Sequence, residues 1–309
     1  MATKGSDERV RERVRKSLSS PRSQISLTIG PATAWLLLFV LLPMLFLVAV
    51  SFTTTDQYFN IIWEPTLANY EDLLFRNGLA FWEAPFVKSL YLSYAIAGAT
   101  TVTTLIVSFP VAYLLARRSG PFVKVTLFML LVPFFSVFIV RMYAWLKIFG
   151  NNGAANNVLL NLGIVSAPLG VFDYGLIPTI VALTHAFVPY MLLTLYASLD
   201  GVDFSLVEAA RDLGAGRITA FKDVVVPLIS SGVITGSIFV FVPALGAYLA
   251  PQFLARGQFL MIGQMIVERV YTGYSIGYGS TMAMFIAIAV VITIAILYRI
   301  SGLNEFVQQ

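Results

Sequence analysis

A polar run, Glu208-Ala209-Ala210-Arg211-Asp212-Leu213-Gly214, stands between two long apolar stretches and carries the densest functional signal in the chain. Asp203 or Ser205 is placed to cap a helix whose first turn holds Glu208, since a short side-chain oxygen there accepts an otherwise unpaired backbone N–H. Ala209 and Ala210 leave a smooth face for close approach, and Gly214 supplies the positive φ that ends such a helix. A second short helix, Arg217 to Asp223, should then lead to Pro227 at the start of the next apolar stretch. The product is a bent helical knob with small residues for contact and charges for a partner. An ordinary capped helix with Glu208 merely solvated is the competing reading.

Catalytic chemistry has little to work with. The sequence holds no cysteine and one histidine, which removes disulfides, thiolate nucleophiles and Cys-based metal sites and leaves a metal centre poorly supplied. Arg141, Lys147 and His185 are ionisable groups inside apolar stretches, where such groups face a bundle interior or a water-filled cavity. Arg141 lies about 12 Å from the outer end of its helix at 1.5 Å per residue, either beside a pathway or locking a neighbouring helix. His185 suits an interhelical hydrogen bond. Tyr143, Trp145, Tyr190 and Tyr248 offer ring faces to an amine, although packing and interfacial anchoring use the same residues. Asp173 and Glu268 are the acidic groups available near the outer mouth, or simply solvated loop charges. A fixed positive charge at Arg141 argues against a simple path for a polycation.

The elements that position these residues are membrane spans. The chain is 58% hydrophobic and 12% charged, with a mean hydropathy of +0.82, which excludes an ordinary water-soluble globule. A helical span needs about 20 mostly apolar residues, and six stretches qualify: 29–52, 89–116, 122–149, 177–199, 224–253 and 280–300. They predict an all-α integral membrane protein with six transmembrane helices, because near-unbroken apolar runs such as 283–297 lack the alternation of a barrel. Gly232 and Gly236 form a G-x-x-x-G suited to close helix packing. The expected organisation is a tail over 1–28, a six-helix domain over 29–300 with its knob in 200–223, and a tail over 301–309. The first span is expected to be retained, since no cleavage site follows the basic leader. A short amphipathic helix over 7–16 competes with disorder.

Of the 20 Lys and Arg residues, an N-inside topology puts 14 on the cytoplasmic side and 6 outside. Both termini and the knob are therefore expected in the cytoplasm. The basic balance then reflects orientation in lipid, with no nucleic-acid partner. Outside lie 53–88, long enough to hold structure of its own, together with 150–175 and 255–279.

The knob resembles the signature of permease subunits of type I ABC importers: E-A-A, three residues, G, nine residues, I, one residue, L-P. Here Glu208-Ala209-Ala210, Gly214, Val224, Val226 and Pro227 occupy it, with Val in place of Ile and Leu. The resemblance implies a MetI-like bundle in a bacterial inner membrane, with Glu208, Ala209, Ala210, Gly214 and Pro227 coupling it to an ATPase. It also implies two ATP-binding subunits, a second permease that is a paralogue or another copy, an extracytoplasmic solute-binding protein, and transport by alternating access.

Residues 131–135 and 140–145, with Leu67 to Leu74, look like spermidine/putrescine permeases of the PotB and PotH type. A polyamine is thus the implied solute, with ferric iron, phosphonate or a similar solute as the alternative. No G-x-x-x-x-G-K-[ST] run is present. No cofactor is therefore expected on this chain, and ATP with its Mg ion is expected on the partner. A secondary transporter or channel subunit is the runner-up, and a membrane-embedded enzyme the third reading.

Overall fold

The computed structural model describes residues 21–300 apart from 57, 59, 76–79 and 274, with side chains from 29 to 299. The segments 7–16 and 301–309 lie outside the described residues.

Helix α1 runs without a break through Pro21–Leu36, a π-turn at Leu37–Leu41, and Leu42–Ser51. The wide turn sits just ahead of Pro43, which has no N–H to return to the carbonyl four residues back. The segment after α1 does carry structure: β1 (Thr54–Thr55) pairs antiparallel with β2 (Ile61–Ile62), and α2 (Ala68–Phe75) follows. Asn69 on α2 donates through Nδ2 to the carbonyls of Ser51 at 3.0 Å and Thr53 at 2.7 Å. These bonds fasten α2 beneath the end of α1.

The remaining helices are α3 (Pro85–Ala116), α4 (Pro121–Leu131), α5 (Phe138–Ile148), α6 (Ala154–Asn161) and α7 (Leu176–Asp200). Next come α8 (Ser205–Asp212) and α9 (Arg217–Ala220), which continues through a π-turn at Phe221–Val225 into Val226–Leu228. Last come α10 (Ser230–Leu245), α11 (Leu249–Leu254), α12 (Ile262–Tyr271) and α13 (Ile276–Ile300).

Four helices among the described residues are long and apolar enough to cross a membrane, at Ile29–Ser51, Pro85–Ala116, Leu176–Asp200 and Ile276–Arg299. The count reaches six if each of two bent pairs is one span. Two expected spans therefore need correction. The stretch 122–149 is not one helix: α4 passes into a 3₁₀ turn at Val132–Phe135 and the chain bends by 90° before α5. Pro133 cannot donate to the carbonyl of Met129, and the Ser136 hydroxyl takes up the Pro133 carbonyl at 2.6 Å, so the helical ladder stops there. The stretch 224–253 is also broken. Its first residues belong to α9, a 67° bend follows, and α10 ends at Leu245, leaving 249–254 as the separate helix α11.

The main core is the packing of α3, α7 and α10 on one another. It buries Ile96, Ala97, Leu183, Met191, Leu195 and Val240, among others. The expected G-x-x-x-G contact is realised on α7: a Cβ on Gly232 would lie 2.4 Å from that of Ser198, and one on Gly236 2.4 Å from Thr194 Oγ1. Only glycine lets α10 approach so closely. Helix α13 packs on α1, and a second cluster of Leu73, Phe86, Ile262, Met265 and Met282 ties it to α2, α3 and α12. Side chains from Trp35 to Leu45 on α1 are largely exposed and apolar, the surface a lipid-facing helix presents.

Candidate functional site

The knob forms between α7 and α10. Before α8, the Asp203 carboxylate accepts the Ser205 N–H at 3.0 Å, which fills one of the unpaired donors of the helix start. The Ser205 hydroxyl and then its N–H hold the Asp203 carboxyl below its ordinary 3.8. Asp203 is thus the capping member of the two candidates. At the other end, Gly214 has φ +95°, its N–H donates to Arg211 O at 2.9 Å, and Ala215 N–H donates to Ala210 O at 3.0 Å. These are the two bonds of a Schellman terminus, in which a left-handed residue returns the chain onto the last carbonyls. Nothing lies within 4 Å of a Cβ built on Gly214, so its backbone conformation, rather than local crowding, calls for glycine.

Glu208 and Ala209 are exposed, Ala210 is half-buried, and no residue of α8 is buried. A groove of about 570 Å³ runs between α8 and α9, lined by Glu208, Arg211, Asp212, Ala215, Gly216 and Arg217. Leu213, just before Gly214, is 90% exposed and Ile218, on α9, 82%, so the knob carries two bare large apolar side chains. Sequence reasoning passed over both. For Leu213 the signal was present, since an apolar residue next to a helix-ending glycine in a polar loop has no core to enter. Pro227 departs from expectation. It lies in α9, ahead of the 67° bend, and does not open the span; the π-turn at Phe221–Val225 precedes it as the one in α1 precedes Pro43.

The base of the knob is aromatic. Phe204 meets Tyr113 edge-on at 5.8 Å between centroids, and Phe221 meets Phe109 at 5.4 Å and Tyr113 at 6.3 Å. The Arg117 guanidinium, just past the end of α3, lies 5.3 Å from the Phe204 ring centre and 5.7 Å from that of Tyr113. These rings join the knob to α3.

The candidate pathway residues do not form one cluster. Trp145 donates through Nε1 to His185 Nδ1 at 3.3 Å, an α5–α7 hydrogen bond of the kind expected for the histidine. Both line an apolar cavity of about 390 Å³ with Val107, Phe134, Thr184 and Pro189. Tyr190 lies beside it, its ring 5.4 Å from Phe134. The Arg141 guanidinium rests 5.1 Å from the Phe134 ring and 5.5 Å from that of Phe138. Its Nε and Nη1 are enclosed and have no hydrogen-bond partner among the described residues. Tyr143 is elsewhere, 50% exposed with its ring 4.6 Å from Phe253.

Two cavities occupy the end of α7 away from the knob. One, about 500 Å³, brings together Tyr248 and Glu268 with Gln252, Gln264 and Tyr271. The other, about 570 Å³, holds Asp173 with Lys147, Tyr174 and Gln258. Arg256 borders both, at φ +47°, with its guanidinium 3.8 Å from the Tyr174 ring centre. No group of three or more His, Cys, Asp or Glu side chains able to hold a metal is found among the described residues.

A family model described as binding-protein-dependent transport system inner membrane component matches residues 106–304. The chain is similar to the spermidine/putrescine transport system permease protein PotB of Haemophilus influenzae, 29% identical over 277 residues, which cover 90% of this chain and 94% of that protein. The Escherichia coli K12 protein of the same description is 30% identical over 270 residues, 87% of this chain and 94% of that one. In fold, the chain is similar to a bacterial ABC transporter involved in the import of the acidic polysaccharide alginate, at TM-score 0.64 and 15% identity, covering 94% and 98% of the two chains. The bacterial alginate ABC transporter in complex with an alginate pentasaccharide-bound periplasmic protein superposes at TM-score 0.68 and 13% identity, covering 94% and 97%.

Proposed function

The chain belongs to the family of binding-protein-dependent transport system inner membrane components, and from that premise we propose that it passes a polyamine through the membrane on ATP hydrolysed by a partner. As a multi-pass inner-membrane permease subunit of an ABC importer, it is not itself the ATPase. The observation that carries the coupling role is the Asp203-capped, Gly214-terminated knob, on which Leu213 and Ile218 are bare. Apolar side chains so exposed gain from a partner's groove. Two ATP-binding subunits, a second permease and an extracytoplasmic binding protein complete the assembly, with ATP and Mg on the ATPases and no cofactor on this chain.

The knob and both termini face the cytoplasm, in keeping with the Lys and Arg distribution. The cavities holding Asp173 and Glu268 then open outward, where a delivered solute enters. Alternating access follows when ATP-driven movement of the knob re-packs α3, α7 and α10, the helices that enclose the bundle core.

The polyamine assignment is supported by the printed descriptions of relatives near 30% identity and by rings able to replace part of the water around an ammonium. Tyr248 with Glu268 offers one such setting at entry, and Trp145 and Tyr190 another deeper in. Co-purification of the native complex, followed by titration of its binding protein with putrescine and spermidine, tests the assignment. Saturable binding of either supports it. A binding protein that ignores both and takes an anion or a metal complex refutes it, and makes Arg141 the pathway residue.

A further inference from the structure

The covalent links of the knob run to α7 through 201–204 and to α10 through α9. Neither leads to α3, yet α3 is the longest apolar helix and packs on both α7 and α10. Among the described residues, aromatic side chains of the knob reach α3 directly. Phe204 enters from the start of α8 and Phe221 from the π-turn of α9, and the two rings close on Tyr113 and Phe109, one helical turn apart on α3. Arg117 covers the Phe204 and Tyr113 rings from the solvent side.

Within this contact α3 lacks one bond of its ladder. Pro110 interrupts its backbone ladder between the two ring-bearing residues, as Pro189 interrupts that of α7. The Ser108 hydroxyl donates to the Val188 carbonyl at 3.3 Å and ties the two interruptions together. The rings hold α3 on both sides of the proline, Phe109 before it and Tyr113 after it, so a displacement of the knob reaches across the interruption to the part of α3 that carries Val107.

We propose that Phe204, Tyr113, Phe221 and Phe109, covered by Arg117, form a latch that carries displacement of the knob into α3. They are positioning residues, and the proposal rests on the coupling role of the knob. With the latch open, ATP hydrolysis and knob docking continue while α3 no longer follows. Edge-to-face ring pairs hold two elements in a fixed relative orientation without the desolvation cost of a buried charge pair.

The test uses the assembled complex in proteoliposomes, with Val107→Cys on α3 as the only cysteine of this chain, which has none of its own, and with labelling read on this chain alone. Val107 is 51% exposed and lies above Pro110 on the wall of the 390 Å³ cavity. The rate of maleimide labelling is measured with and without ATP, alongside ATP hydrolysis. In the unaltered background ATP should change the rate several-fold. Adding Phe204→Ala should bring the ratio close to one while the ATPase still co-purifies and hydrolyses ATP, and Phe204→Tyr should restore it. Arg117→Gln, at an exposed site that no fold defect follows from, should lower the response by about two- to five-fold, the range of an exposed cation–π contact.

An ATP response unchanged in both Phe204→Ala and Arg117→Gln overturns the latch, as does a Val107→Cys that never responds to ATP. If Phe204→Ala prevents assembly, the Arg117→Gln result decides. Failure of any ATPase to co-purify with the unaltered chain would instead refute the coupling role itself.

Discussion

Replacing Gly214 by valine should uncouple the protein without removing it from the membrane. The residue sits at φ +95° and a Cβ there meets nothing within 4 Å, so the cost is conformational. An L-residue held in a left-handed conformation costs about 1–2 kcal/mol. Escaping that cost means giving up the bonds from Gly214 N–H to Arg211 O and from Ala215 N–H to Ala210 O, each contributing about 0.5–1.5 kcal/mol net. With no buried residue on α8 to resist, the ordered tip should lose about 1–3 kcal/mol, or roughly 5- to 150-fold in population. ATP-dependent uptake by the reconstituted complex, normalised to permease content, should fall within that range. Gly214→Asn separates conformation from partner contact, since asparagine visits the left-handed region more readily than valine. It should recover most of the loss. Normal transport by Gly214→Val, or equal failure of the asparagine and valine variants, would refute the conformational argument.

Leu213→Asp and Ile218→Asp, at side chains 90% and 82% exposed, should leave expression unchanged but reduce ATPase co-purification at least about tenfold, as for loss of an apolar anchor at an interface. Gly236→Val should fail earlier, because its side chain would enter Thr194 and Met191; overpacking of about 1–3 kcal/mol should appear as lower yield and a reduced Tm of the detergent-solubilised protein. The Asp203 carboxyl titrates below its ordinary value of 3.8 when folded. Its contribution is present above the unfolded value and is lost as pH falls through the lower folded one, so proteolysis at the knob should rise below about pH 4, less so in Asp203→Asn, which keeps the cap. A single Ser119→Cys should resist impermeant thiol reagents added outside intact cells, and labelling from outside would overturn the topology.

The long apolar helices and the knob were legible because their signals are local. A run such as 283–297 specifies a span by composition, and Asp203, Gly214 and the glycine pair at 232 and 236 each act through neighbours in sequence or a single facing helix. The broken spans were less so. Pro133 marks one break and Pro227 follows the π-turn that precedes the other, yet hydropathy summed over a window does not register a missing N–H, and the same stretches read as continuous. The seat of the knob was not legible at all: Phe109 and Phe221 are separated by more than a hundred residues, and only the packing of α3 against α9 brings them together. The pathway aromatics fall in the same class, which is why Tyr143, Trp145 and Tyr248 arrive in different surroundings.

The central claim is that this chain moves solute on energy delivered through the knob from another protein. Uptake of labelled spermidine into proteoliposomes holding the complete complex, charged with ATP and supplied with binding protein, measures it directly. Uptake that requires ATP and the binding protein, and that is lost in Gly214→Val and Leu213→Asp, is the expected result. Uptake by this chain alone down a proton or ion gradient, indifferent to ATP and to both substitutions, would contradict it.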